Sequence, residues 1–266
     1  IFKLARLVTS GMGERNRLKT FSRLVDLFKT HQTINTIRGD LLFRIDSPGS
    51  VPQDPENNRS EPETFEWIDG HLKPDEVMWD IGANIGVFSL FAALGNKNRV
   101  ISIEPSAESF ATLNANIRLN KLDQHIDAFC FAGSKETKFI KLYMKDASSG
   151  ASHNSIDAAK NQFGQFESNG EQAIIAIALD DLINFFKMPL PDHIKLDVDG
   201  KEPEILEGAP EVLKQVKSLL VEVEGKNLTE NLSRIELSLN KAGLKEDTSW
   251  RDKGSGRNRL FIRGTI

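Results

Sequence analysis

The chain predicts an α/β fold in which a mostly parallel seven-stranded sheet is covered by helices on both faces and closed by a C-terminal antiparallel hairpin. Three observations carry that expectation. From Thr64 onward, apolar runs of strand length alternate with segments whose apolar residues recur every three or four positions, as a parallel sheet with crossover helices requires. A glycine-bearing turn, Gly82-Ala83-Asn84-Ile85-Gly86, directly follows the first of those strands. Near the end, Asp252-Lys253-Gly254-Ser255-Gly256-Arg257 supplies turn residues between two last apolar runs.

Taken in order, the strands are expected at 77–81, 100–104, 126–131, 193–198 and 218–224, with the closing pair at 244–250 and 258–263. Helices are expected at about 64–72, 85–95, 106–120, 202–215 and 228–242. Ahead of them, Leu4, Leu7, Val8, Leu18, Phe21, Leu24, Val25 and Phe28 are spaced as on amphipathic helices, among the basic residues Lys3, Arg6, Arg15, Arg17, Lys19 and Arg23. Residues 1–33 therefore read as a helical appendage packed on a domain formed by residues 34–266. A short strand at 41–45 precedes a proline-, asparagine- and acid-rich stretch, 47–62, which reads as a loop over the active site. Cys130, inside the apolar run 126–131, is expected to be a core thiol.

A length of 266 residues suits one large domain. With 38 acidic and 34 basic residues the net charge is −4, which offers no global attraction to phosphate backbones, and a nucleic-acid partner is not expected. The single cysteine excludes an intrachain disulfide and fits a reducing compartment. No uncharged apolar run approaches the roughly 18–20 residues of a membrane span. Nor does the N-terminus carry a signal peptide's apolar region and cleavage site, so a cytoplasmic location is expected. The chain opens on Ile1 rather than a methionine, which leaves open whether residues precede it. Oligomeric state is not legible.

The strand Val77-Met78-Trp79-Asp80-Ile81 delivers its glycine turn to the carboxyl edge of the sheet, where open α/β folds bind ligands. Gly82 and Gly86 allow close backbone approach, and the following helix offers free N–H groups. Asp80 suits a cationic amino group and opposes a pyrophosphate on the same turn, which favours S-adenosylmethionine over a dinucleotide. The next strand ends at Glu104, 18 residues past Gly86, where a carboxylate can accept hydrogen bonds from both hydroxyls of a ribose. The expected cofactor set is Asp80, Gly82, Ala83, Asn84, Gly86, Glu104 and Pro105. A bland reading makes the turn a tight strand-to-helix connection and Glu104 a helix N-terminal acid. The joint placement of turn and acid outweighs it.

The stretches EPETFEWIDGHLKPDEVMWDIGANIGVFSLFAA, VISIEPSAESFATLNANIRLN, LDDLI and DHIKLDVDGKEPEILEGA, in that order, resemble the FkbM family of methyltransferases, with similarity from about residue 34 to the end. Lys195, Asp197, Gly200 and Glu202 carry its most family-specific pattern, while the glycine turn is general to class I methyltransferases. The resemblance implies a Rossmann-like class I fold and O-methylation of a sugar, glycan or other hydroxylated metabolite. Asp199 stands where members often have glutamate, and Pro203 follows Glu202 at a position where a first helical turn tolerates proline.

Methyl transfer to a hydroxyl needs alignment and help in removing a proton. Asp197, Glu202 and Glu222 are the expected catalytic carboxylates. Asp197 with Glu222 serves either as general base and orienter or as ligands of a hard divalent cation, and the metal-free arrangement is the one expected. Asp199 reads as a helix N-terminal acid, Lys195 as pairing with Asp199 or Glu202, and His153 as a solvated loop residue. The histidines show no zinc spacing. Two other classes share the crevice. A nicotinamide-dependent oxidoreductase wants GxGxxG where this chain has GxNxG, and a non-catalytic scaffold would not need acids at both cofactor positions. Acceptor recognition is expected from loops at 46–62 and 145–170.

Overall fold

The computed structural model describes residue 9 and residues 11–27, 30–52, 61–95 and 98–264. The sequence-predicted helical positions Leu4, Leu7, Val8 and Phe28 lie outside the described residues. Helix α1 (Glu14–Leu27) leads into β1 (Thr30–Thr36) and β2 (Gly39–Ile45), an antiparallel hairpin in full register from Thr30 opposite Ile45 to Thr36 opposite Gly39. The strand thus begins at Thr30, inside a stretch whose spacing reads as helix. Its pairing with the apolar alternation Leu41, Phe43, Ile45 overrides that local pattern.

The main sheet is built from β3 (Val77–Ile81), β4 (Arg99–Ile103), β5 (Ile126–Phe129), β12 (His193–Leu196), β13 (Ser218–Glu222), β14 (Leu244–Glu246) and β15 (Asn258–Arg263). Its seven strands lie in the order β14-β15-β13-β12-β3-β4-β5, with only β15 reversed against its neighbours. Every residue of β12 and β13 is buried, the continuous apolar reading of strands covered on both faces. Chain order runs outward from β3 through β4 to β5 on one side and from β12 to β13 on the other. The crevice at the carboxyl ends of β3 and β12 is therefore the topological switch point.

Helices α2 (Pro62–His71), α3 (Val87–Ala93), α4 (Ala107–Leu119), α5 (Leu179–Asn184), α6 (Glu202–Glu207), α7 (Pro210–Leu213) and α8 (Leu228–Lys241) cover the sheet. Two apolar clusters fill its faces, one around Trp79, Leu196 and Phe261 and one around Met78, Phe91 and Trp67. Single residues set the boundaries. Gly86, at φ 93°, holds a left-handed turn and delays α3 to Val87, and Ser106 caps α4 by accepting from the Ser109 N–H. Pro210 splits the expected helix at 202–215, since it cannot donate to the preceding turn. The closing pair is joined through a short 3₁₀ turn, Thr248–Trp250, rather than by a tight turn alone, so β14 stops at Glu246.

A second sheet was not legible as such: β6 (Ala132–Ser134), β7 (Lys138–Met144), β8 (Ser155–Ile156) and β11 (Gly170–Ala178), in the order β6-β11-β7-β8. Between β7 and β11 also lie β9 (Lys160–Asn161) and β10 (Gly164–Gln165), a small hairpin. The expected strand 126–131 breaks at Phe129, where the chain leaves the main sheet for this one. Cys130 sits at that bend and is exposed, not a core thiol.

The hairpin β1–β2 docks on the domain through Asn116 of α4 and Asn120, which caps its C-terminus. The Leu42 N–H donates to Asn120 Oδ1 (2.9 Å) and the Arg44 N–H to Asn116 Oδ1 (2.9 Å). Asn120 Nδ2 donates to the Leu42 carbonyl (2.8 Å) and Asn116 Nδ2 to the Ile85 carbonyl (2.9 Å). Side-chain amides thus stand in for a neighbouring strand, and they tie β2 to the glycine turn.

Candidate active site

A cavity of about 310 Å³ opens at the switch point, within the size range of small-ligand sites. Gly82, Ala83, Asn84, Glu104 and Pro105 line one end. Asp197, Asp199, Glu222, Glu224, Lys195 and Arg257 line the other. The loop residues Gly49, Val51 and Pro52, with Glu61, and residues 150–156 complete the lining, the two loops meeting where Gly49 packs against Gly150. Asp80, Gly86 and Glu202 are not among the described residues that line it.

At the first end, Gly82 is at φ 88°, and a Cβ there would lie 1.7 Å from the Asp197 carbonyl oxygen. The glycine is therefore required by the packing of the turn against the end of β12. Gly86 is required by φ 93° and by Leu90 and Leu113 beside it. Asn84, also left-handed at φ 51°, donates its backbone N–H to Glu104 Oε2 (2.9 Å), and the Ser106 N–H donates to Glu104 Oε1 (2.8 Å). Burial lifts the Glu104 carboxyl to about 7 against those two hydrogen bonds. Asn84 Oδ1 is buried and has no hydrogen-bond partner among the described residues. An unsatisfied acceptor beside a carboxylate, both on the cavity wall, fits a ligand that brings several donors, such as a ribose and an amino group.

Asp80 is fully buried behind the turn. Its Oδ2 accepts from Ser89 Oγ (2.5 Å), which in turn accepts from Ser102 Oγ (2.7 Å), while Oδ1 has no hydrogen-bond partner among the described residues. Lys195 lies opposite Asp80 in the β12–β3 register. Burial raises the Asp80 carboxyl, and the Lys195 ammonium pulls the other way.

Lys195 is the hub of the second end. Its side chain is 2% exposed, its Nζ donates to Asp197 Oδ2 (2.8 Å), and it stands 4.7 Å over the Phe88 ring. Burial opposes its charge, but Asp197, Glu61 and Asp80 together hold it protonated. Lys195 and Asp197 are two apart along an extended backbone and so share a face, whereas Asp199, beyond the strand in a left-handed conformation (φ 59°), turns to His153. Burial and the Asp197 charge push the Glu222 carboxyl well up. Burial works against the Asp197 carboxylate too, yet Lys195 and the hydrogen bond with Glu222 hold it low. Arg257 Nη1 reaches Glu222 (2.7 Å) and Glu224 (3.3 Å), and Nη2 reaches Glu61 (3.3 Å).

Glu202 turns back on its own loop instead, accepting from the backbone N–H groups of Val198 (3.0 Å) and Gly200 (3.1 Å). Burial lifts it to about 7. His153 and Asp199, which the sequence reads as solvated residue and helix acid, meet on the cavity wall with Nδ1 3.1 Å from Asp199 Oδ1. Two groups have the composition to ligate a cation, Glu61 with Asp197 and Glu222, and His153 with Asp199 and Glu224. Protein donors already engage both: Lys195 and Arg257 the first, and Gln162 Nε2, at 3.1 Å from Asp199 and 3.0 Å from Glu224, the second.

The sheet order, the glycine turn at the switch point and the acid ending β4 together define a Rossmann-like methyltransferase. The chain belongs to the FkbM methyltransferase family: the Methyltransferase FkbM domain matches residues 80–245. It is 27% identical over 194 residues to the hexuronic acid methyltransferase AglP of Haloferax volcanii, covering 71% of this chain and 74% of that one. It is 24% identical over 178 residues to the 31-O-demethyl-FK506 methyltransferase FkbM of Streptomyces tacrolimicus, covering 58% and 68%. Among solved structures, a precorrin-6y C5,15-methyltransferase from Geobacter metallireducens matches with TM-score 0.46 and 12% identity, over 80% of this chain and 91% of that one. Family and fold imply S-adenosylmethionine as methyl donor. Among the described residues no helix is long and apolar enough to cross a membrane.

Proposed function

We propose that this enzyme O-methylates a hydroxyl of a sugar, glycan or other small metabolite, with S-adenosylmethionine held by Gly82, Ala83, Asn84, Glu104 and Pro105. One observation carries the reading: a single cavity joins the Glu104 end to the Asp197 and Glu222 end. When bound, the donor supplies a methyl group on a cationic sulfonium. Glu104 accepts hydrogen bonds from the ribose, and Asn84 Oδ1 takes a further donor. Asp197 and Glu222, with Lys195 and Arg257 beside them, set acceptors next to donors on the cavity wall, the combination that grips a hydroxylated ring. Asp80 acts from behind the turn, by keeping Lys195 and Ser89 in place, and Gly86 and Glu202 shape the two loops. The relatives' names, one on a hexuronic acid and one on an O-demethyl compound, support a hydroxyl acceptor. The engaged carboxylates support metal-free chemistry. A net charge of −4 and an acid-rich cavity wall favour a small acceptor over a nucleic acid.

The test pairs calorimetry with turnover. Wild type binds S-adenosylmethionine and methylates members of a panel of hexuronic acid glycosides in the presence of a chelator, whereas Glu104→Ala binds weakly. Binding unchanged in Glu104→Ala, or turnover that depends on added divalent cation, would overturn the site or the metal-free assignment respectively.

A further inference from the structure

The polar loop at 148–155 and the turn that ends β12 come together through two residues 46 positions apart. Asp199 accepts from the His153 backbone N–H (2.6 Å), from His153 Nδ1 (3.1 Å) and from Gln162 Nε2 (3.1 Å). Both His153 (φ 65°) and Asp199 (φ 59°) are held in the left-handed region, which costs energy for residues other than glycine and is retained where surrounding structure fixes it. The ring is further fixed edge-on to Phe163, with centroids 5.2 Å apart. Its Nε2 makes no hydrogen bond among the described residues, and the residue, its side chain 38% exposed, lines the same cavity as Asp197 and Glu222. An imidazole with one nitrogen fixed by a carboxylate and the other free at a substrate cavity is the arrangement of an oriented general base.

We propose that His153 Nε2 is the proton acceptor for the substrate hydroxyl and that Asp199 is the positioning residue that fixes its ring and tautomer. The inference rests on the O-methylation reading above. The hydroxyl proton passes to Nε2 as an oxygen lone pair bonds the methyl carbon. The carbon–sulfur pair returns to sulfur, leaving a neutral thioether and an imidazolium that then releases its proton to solvent. Among the groups lining this end, Lys195 engages Asp197 (2.8 Å) and Arg257 engages Glu222, Glu224 and Glu61 (2.7, 3.3 and 3.3 Å). His153 Nε2 has no protein partner among the described residues and is the one left to take the proton. The hydrogen bond that the His153 ring donates to Asp199 raises the His153 pKa, helped by the Glu224 charge and opposed by burial and Lys145. A stronger base near neutral pH follows.

The test uses the whole protein with S-adenosylmethionine and a methyl glucuronoside acceptor. His153→Asn, which tolerates the left-handed backbone, and His153→Ala are expected to lower kcat by about 100-fold or more while the calorimetric Kd for S-adenosylmethionine stays within about threefold. Added imidazole should restore part of the His153→Ala rate. Asp199→Asn should move the acidic limb of the kcat profile to lower pH, because the support for the imidazolium is removed. A kcat within about threefold of wild type in both His153 variants would overturn the proposal, as would loss of rate without imidazole rescue. An NMR titration needs no acceptor: His153 should titrate above the ordinary histidine value and fall in Asp199→Asn. An unshifted titration would overturn the pairing even if no acceptor turns over, while a wild type that binds the methyl donor yet methylates no hydroxyl would overturn the parent reading instead.

Discussion

Replacing Gly82 with alanine would place a methyl group 1.7 Å from the Asp197 carbonyl oxygen and 2.8 Å from its carbonyl carbon, on a backbone already at φ 88°. The left-handed conformation alone costs an alanine about 1–2 kcal/mol. Relieving the overlap demands movement of backbone rather than of a side-chain tip, which adds roughly 1–3 kcal/mol of packing strain. For a chain of this size each kcal/mol lowers Tm by about 2–4 °C, so Gly82→Ala should melt on the order of 5–20 °C below wild type. The displaced atoms carry Asp197 and border the cofactor turn, so affinity for S-adenosylmethionine should fall with stability. Gly86→Ala meets only the methyl groups of Leu90 and Leu113 at 2.7 and 2.4 Å and should cost less. Gly70→Ala, in α2 with nothing within 4 Å, should be neutral or stabilise by roughly 0.5–1 kcal/mol. Differential scanning calorimetry and isothermal titration of the three variants decide the matter. A Gly82→Ala protein that melts with wild type and binds the donor normally would refute the packing account of the turn.

Three further outcomes are expected. Lys195→Met should cost about 3–5 kcal/mol in urea unfolding, because it strands Asp80, Asp197 and Glu61 without their cation, and Asp80→Asn added to it should recover part of the loss; additive effects of the two changes would contradict the pairing. Glu104→Gln should weaken donor binding about 10-fold to 100-fold, the worth of a charge-assisted hydrogen bond, measured by calorimetry at pH 8. Glu104 and Glu202, lifted by burial to about 7 from 4.5, bind more protons folded than unfolded between those values. Stability of the ligand-free protein should therefore rise as pH falls from 7 toward 4.5, and Glu202→Gln should flatten the slope. Glu76 acts the other way: burial opposes its charge, but Lys217, the Lys73 N–H and His193 hold it at about 2, so its contribution is lost as pH falls from 4.5 through 2. Thermal scans from pH 8 to pH 2 that show no reversal of slope would contradict this assignment.

The parts of the fold that could be read in advance are those whose pattern is local. Residues 77–81 read as a strand to the residue because Met78 to Ile81 are buried on both faces and a glycine turn ends them. Glu104 could be placed because strand, spacing and charge agree. The split of the expected helix at Pro210 has a local cause that a covered apolar periodicity outweighs. The second sheet also left a trace, since Ile140, Leu142 and Met144 are buried in alternation with outward-facing neighbours, but its partner strand lies some 30 residues on and β8 is only two residues long. At the site, the sequence reads as pairing Lys195 with Asp199 or Glu202, whereas the extended backbone at the end of β12 sets the ammonium on Asp197. Glu61 and Arg257 come from loops whose positions depend on the tertiary fold, and they carry no spacing signal. The meaning of His153 depends on a turn 46 residues away, and no local pattern around Ser152-His153-Asn154 distinguishes it from a solvated loop.

The asparagine amides that α4 turns toward β2 bear on the protein's behaviour at high concentration. An edge strand with apolar Leu41, Phe43 and Ile45 is a template onto which another chain can add, and such addition seeds insoluble assemblies. Asn116 and Asn120 fill that edge at Leu42 and Arg44, leaving the hairpin's other border to the polar sequence Thr-His-Gln-Thr-Ile-Asn-Thr of β1. Two side chains, one on α4 and one just past its end, thus occupy the edge that another chain would use. Asn116→Ala with Asn120→Ala should therefore raise the light scattering of a concentrated sample and also lower its melting temperature, because Asn116 is fully buried and holds the Ile85 carbonyl.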